Sequence, residues 1–150
     1  MENFFNLPLL LGILGIVIAQ LLKVPIHYAH FKSWDFSVAT STGGMPSSHT
    51  AGVMALASSV GFEAGFNSPI FAVAAMLAGV VMYDATGIRF HAGQQAIVLN
   101  ELKRSVQQLR NSSTSLDEQP LKTLLGHKPL EVLAGAFVGA LFAWLVYVPF

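Results

Sequence analysis

His127 and Glu131 stand four residues apart in Gly126-His-Lys-Pro-Leu-Glu131. At that spacing a carboxylate reaches an imidazole and fixes its tautomer and orientation, as an acid–base or nucleophilic histidine requires. Glu131 also suits the first turn of a helix opened by Pro129, where a negative charge complements the dipole. A second cluster is Ser41-Thr-Gly-Gly-Met-Pro-Ser-Ser-His-Thr50. Its glycines free the backbone, Pro46 sets the approach to a helix, and Ser47 and Ser48 can cap it. A helix start of this kind presents unpaired N–H groups and a positive dipole end, which suits a phosphate, and His49 falls in its first turn. A capped helix with an incidental histidine accounts for the same residues without chemistry. The third cluster is Tyr83-Asp-Ala-Thr-Gly-Ile-Arg89. Asp84 ends an apolar run, where an acidic group needs a partner or a function. Arg89 can be that partner, or its planar fork can clamp a phosphoryl group. His27 and His30, three apart, would with Asp84 make a sparse metal-ligand set.

The elements that must hold these residues are membrane helices. The chain has 150 residues, 53% hydrophobic and only 11% charged, whereas average soluble domains are about a quarter charged. Zero net charge argues against a nucleic-acid partner. The absence of cysteine excludes a disulfide scaffold, a thiolate zinc site and a cysteine nucleophile, and the hydrophobicity excludes intrinsic disorder. A bilayer core takes about 20 apolar residues as a helix. The expectation is therefore an all-α polytopic bundle forming a single domain over residues 1–150. Its spans are predicted near 4–22, 50–66, 68–83 and 132–150, the second partly shielded by protein. The first lacks a basic lead-in and a small-residue cleavage site, so it reads as a permanent helix rather than a signal peptide.

All eight basic residues fall in two segments, Lys23–His49 and Asp84–Glu131. The positive-inside rule then places both segments in the cytoplasm and both termini outside. Within the second segment, Leu99, Leu102, Val106 and Leu109 recur near helical spacing, with Lys103, Arg104, Gln107 and Gln108 between them. This predicts an amphipathic helix over Ala92–Arg110, lying on the membrane surface or against a neighbour. Residues 111–119 read as a disordered polar stretch and Leu121–Leu125 as a short amphipathic run. Two small-xxx-small pairs, Ala75 with Gly79 and Gly135 with Gly139, permit close helix packing and leave a homodimer open.

This topology gathers Lys23, His49, Arg89, His127 and Glu131 at the same ends of the spans. The Pro46-Ser-Ser-His49 tetrad is similar to the central motif of the type 2 phosphatidic acid phosphatase (PAP2) superfamily, which includes vanadium haloperoxidases. With QLLK ending at Lys23, GGMPSSHT, YDATGIR, AGQQA, Leu99-Asn100 and GHKPLEV, nearly the whole chain resembles the divergent PAP2 family of small bacterial and plastid membrane proteins. The resemblance implies a bacterial inner or plastid-type membrane and a cofactor-free phosphatase acting on a lipid or prenyl phosphate through a phosphohistidine. It implies His127 as nucleophile, Glu131 as its orienter and His49 as general acid. Lys23, Arg89, Ser47 and Ser48 would hold phosphoryl oxygens, with Asp84 in support and no metal. The chain departs from the superfamily pattern at several points. His30 and Phe31 follow Lys23 where Arg-Pro is usual, Ser48 replaces glycine, and Glu131 replaces aspartate. Arg89 lies far ahead of His127, and four spans stand where six helices are usual. A non-catalytic lipid-binding or scaffolding protein with a residual phosphate pocket is the alternative. A metal-dependent phosphotransferase or transporter would instead use His27, His30 and Asp84.

Overall fold

The structure, a computed structural model, describes residues 6–41, 43–110, 120–121 and 126–148. The described residues form five α-helices: α1 (Leu7–Phe31), α2 (Ser48–Ala64), α3 (Pro69–Thr86), α4 (Ile88–Arg110) and α5 (Pro129–Tyr147), with a 3-10 turn at Phe36–Thr40. The expected all-helical bundle is what the chain forms. The predicted stretch 111–119 and most of the predicted run Leu121–Leu125 lie outside the described residues.

Asn6 starts α1, its Oδ1 accepting the Leu9 N–H at 2.9 Å, and Pro8 in the first turn needs no helical donor. The helix does not end at Leu22 as the apolar run suggested, but continues through Pro25 to Phe31. Pro25 removes a single bond, to the Leu21 carbonyl, and the following turn is held by ring contacts. His27 and Phe31 rings lie 4.7 Å apart, and Tyr28 stacks on Trp34 at 4.4 Å. Lys32 then closes the helix in the left-handed conformation (φ 55), its N–H donating to the Tyr28 carbonyl. The 3-10 turn opens on Asp35, whose carboxyl is held below the usual range by hydrogen bonds from the Ser37 hydroxyl and N–H.

α2 sits at the centre, packed on α1, α3 and α5. Its buried residues are small (Ala51, Gly52, Ala55, Ala57, Ser59 and Gly61), so neighbouring backbones come close, as membrane helices do through dispersion contacts. A Cβ at Gly52 would run into the Ile16 side chain, and one at Gly135 or Gly139 into the Ser47 or Ala51 carbonyl. Gly12 and Gly15 pair with Leu56 and Ala55, so α1 runs antiparallel to α2. Gly135 and Gly139 pair with Ser47 and Ala51, so α5 runs parallel to it. Gly65 (φ 88) ends α2, and the Ser68 hydroxyl caps α3.

Among the described residues, three helices are long and apolar enough to cross a membrane: α1, the stretch beginning at Pro69, and α5. α2, at 17 residues, spans about 25 Å and is enclosed by the other three, the shielding expected of the second span. Leu9, Ile13, Val17, Val73, Met76, Leu133 and Phe137 turn outward, an apolar surface of the kind that meets a membrane or another protein. One rim of the bundle collects the end of α1, the start of α2, the end of α3 and the start of α5. The opposite rim carries Glu63, which accepts a hydrogen bond from the Tyr147 hydroxyl at 2.8 Å beside the stacked Phe62 and Tyr147 rings.

Candidate functional site

His127 lies two residues ahead of α5, after Gly126, whose φ of 84 belongs to the left-handed region that glycine enters freely. Its backbone N–H donates to the Ala85 carbonyl of α3 at 3.0 Å, and the residue is 4% exposed. Nδ1 lies 3.0 Å from Glu131 Oε2. An ionised carboxylate only accepts, so Nδ1 carries a proton, and in the neutral ring Nε2 is then the nitrogen with the lone pair. The same Glu131 oxygen accepts the Lys128 N–H at 3.2 Å. Orienting the imidazole and capping the helix are thus two uses of one carboxylate.

The start of α2 is fastened to this turn. The Ser47 N–H donates to the Glu131 carbonyl at 2.9 Å, and the Ser47 hydroxyl accepts from the Thr50 N–H at 3.4 Å and the Thr50 hydroxyl at 3.0 Å. Ser47 is fully buried, and these bonds make it a joint between α2 and α5. Ser48, the first helical residue, is also buried. The amides of the first turn, at Ser48 and His49, are those an α-helix leaves for outside partners, at the positive end of its dipole. His49 occupies the same rim on the exposed side of α2, whereas His127 lies within the packed surface.

Lys23, 3% exposed, reaches across from α1. Its Nζ donates to the Ser41 carbonyl at 3.0 Å and the Gly43 carbonyl at 2.8 Å. Two of the three ammonium donors therefore hold the loop that leads into α2, and Glu131 is near enough to feel the charge. Asp84 is half-buried in the last turn of α3, next to the Ala85 that receives His127. Arg89 falls in the first turn of α4, and its side chain lies outside the described residues. Lys23, Ser47, Ser48, His127 and Glu131 are thus brought together, with Asp84 and His49 at the same rim. His27 and His30 turn their Nδ1 atoms to the Ser33 and Ile26 carbonyls. Among the described residues no group of three or more His, Cys, Asp or Glu could hold a metal ion.

Two residues had no role in the sequence reading. Gln20 Oε1, about one turn before Lys23, is buried with no hydrogen-bond partner among the described residues; an amide inside an apolar run was the available signal. Asn100 holds the chain returning from α4 by a reciprocal pair, its Nδ2 donating to the Leu121 carbonyl and its Oδ1 accepting the Leu121 N–H, both at 3.0 Å. No local pattern announces that contact, because its two halves are 21 residues apart.

Residues 4–142 match the family described as the Divergent PAP2 family. An uncharacterized membrane protein of Bacillus subtilis (strain 168), YuiD, is 45% identical over 148 residues, covering 94% of each chain. No solved structure matches.

Proposed function

The chain belongs to the divergent PAP2 family of membrane proteins, and from that premise we propose that it hydrolyses a phosphate monoester carried by a membrane lipid, a phosphatidyl or prenyl phosphate, from the cytoplasmic side. The observation that carries this reading is the 3.0 Å contact of His127 Nδ1 with Glu131, set against the start of α2. In the neutral ring it makes Nε2 the nucleophile, and the Ser47 N–H bond to the Glu131 carbonyl ties this turn to a helix N-terminus suited to an anion.

Phosphoryl transfer asks chiefly for positioning and charge stabilisation. His127 Nε2 attacks phosphorus, the P–O ester bond breaks, and the departing alkoxide takes a proton from the His49 imidazolium. Glu131 stabilises the charge that develops on the His127 ring. The amides at the start of α2, with Lys23 and Arg89, offset the negative charge on the phosphoryl oxygens. Water, giving its proton to the now neutral His49, then cleaves the P–N bond and releases inorganic phosphate. The side chains supply all the acid, base and nucleophile that this sequence needs.

A second reading, a phosphate-lipid binding protein without turnover, is favoured by one observation: two donors of Lys23 already hold backbone carbonyls. Phosphate release in nanodiscs containing phosphatidic acid or a prenyl monophosphate separates the two. Turnover that falls to the uncatalysed background in His127→Ala and His127→Gln supports hydrolysis. A wild type that binds these lipids but releases no phosphate establishes the second reading instead.

A further inference from the structure

Among the described residues, α4 makes contact with α3 alone of the helices, yet one of its faces is apolar. Ile88, Val98, Leu99, Leu102 and Val106 share that face and are 38–71% exposed. The opposite side carries Arg104, and the helix as a whole has Arg89, Lys103, Arg104 and Arg110 against the single acid Glu101. α3 runs into α4 through Gly87: the Gly87 N–H donates to the Tyr83 carbonyl at 2.9 Å and the His91 N–H to the Gly87 carbonyl at 3.0 Å. α3, with 18 residues, already uses about 27 Å of a hydrocarbon core roughly 30 Å thick. α4 therefore begins at the edge of the bilayer and is too polar to continue across it.

We propose that α4 lies in the headgroup–acyl boundary of the membrane that α3 crosses, its apolar face among acyl chains and its basic residues against anionic lipid. Three features select lipid as the occupant. The apolar face follows a helix that is long and apolar enough to cross a membrane and leaves Met76, Val80 and Tyr83 exposed. The excess of basic residues complements an anionic leaflet. At the α3–α4 junction a cleft of ≈ 420 Å³ is lined by Ile88 and Ala92 together with Tyr83, His91 and Gln95, a mixture suited to headgroup depth. Because His127 is bonded to Ala85 in the last turn of α3, an arm so placed sets the candidate site at headgroup level, whatever chemistry occurs there.

The chain has no cysteine, so single-cysteine variants of the full-length protein can be labelled with an environment-sensitive fluorophore in nanodiscs. Labels at Leu102→Cys and Val98→Cys should emit to the blue and be quenched several-fold more by a shallow lipid-borne quencher than a label at Arg104→Cys. Adding phosphatidylglycerol to phosphatidylcholine discs should strengthen the contrast. Arg104→Gln, made in the Leu102→Cys background, should lower the equilibrium constant for lipid contact by about fivefold in the anionic discs. Equal water access at positions 98, 102 and 104 overturns the proposal. So does a disulfide between the Leu102→Cys residues of two copies in place of lipid quenching, because a second copy would then cover the face. Neither readout depends on phosphate release.

Discussion

At the residue scale, the contact between His127 Nδ1 and Glu131 Oε2 determines which ring nitrogen holds the proton. Glutamine at 131 can offer an N–H to the ring as readily as a carbonyl, so it no longer enforces the tautomer with Nε2 unprotonated. Glu131→Gln should cut phosphate release by about 10²–10⁴-fold, with the circular dichroism spectrum unchanged and the fall in kcat rather than KM. Ser47 should behave oppositely. Its hydroxyl caps α2 inside the bundle, so Ser47→Ala should lower stability by about 0.5–2 kcal/mol, read as an earlier thermal transition in detergent. Activity per folded molecule should persist, whereas a tenfold drop in kcat would make Ser47 a substrate ligand. The histidine–glutamate pair was legible in the sequence because its two residues stand only four apart, across the start of one helix. The occupation of Lys23 by the Ser41 and Gly43 carbonyls was not, because it depends on a loop 18 and 20 residues away folding back over α1.

Among the elements, the contact between α2 and α5 fixes the site, since Ser47 and Glu131 meet at its end. Gly139 lies along that contact, where an added Cβ would overlap the Ala51 carbonyl, a backbone atom that cannot rotate aside. Gly79, on α3, has open space around the same position. Gly139→Ala should therefore destabilise the bundle by about 1–3 kcal/mol and slow turnover in parallel. Gly79→Ala should leave both within error; a loss there equal to that at Gly139 would place an unrecognised contact on the α3 face. The two small-xxx-small pairs are equivalent by spacing, and only the packing of α5 on α2 distinguishes them. Long apolar runs with clear stops, such as Ser68-Pro69 before α3, were readable directly. The extension of α1 past Pro25 was not, because a proline costs one bond locally while the Tyr28–Trp34 stack that holds the next turn lies beyond the apolar run.

For the whole molecule, the arrangement of the rims and their orientation in the membrane are separate matters. The helix directions put Lys23, the start of α2, Ala85 and His127 at one rim, and Glu63 with Tyr147 at the other. Orientation follows from charge: the basic residues lie on the site side of the bundle or in the segment beyond α3, and the short link Gly65–Ser68 has none. Positive charge is retained on the cytoplasmic side during insertion, so the site should face inward. Ser33→Cys, between α1 and the 3-10 turn, should react with an impermeant thiol reagent only from the cytoplasmic face. Asn67→Cys, in the link between α2 and α3, should react only from outside. Reaction of both from one side would break the antiparallel pairing of α1 with α2 and scatter the site. An exchange of sides would preserve the bundle but turn His127 to the exterior, and the substrate would then have to come from the outer leaflet.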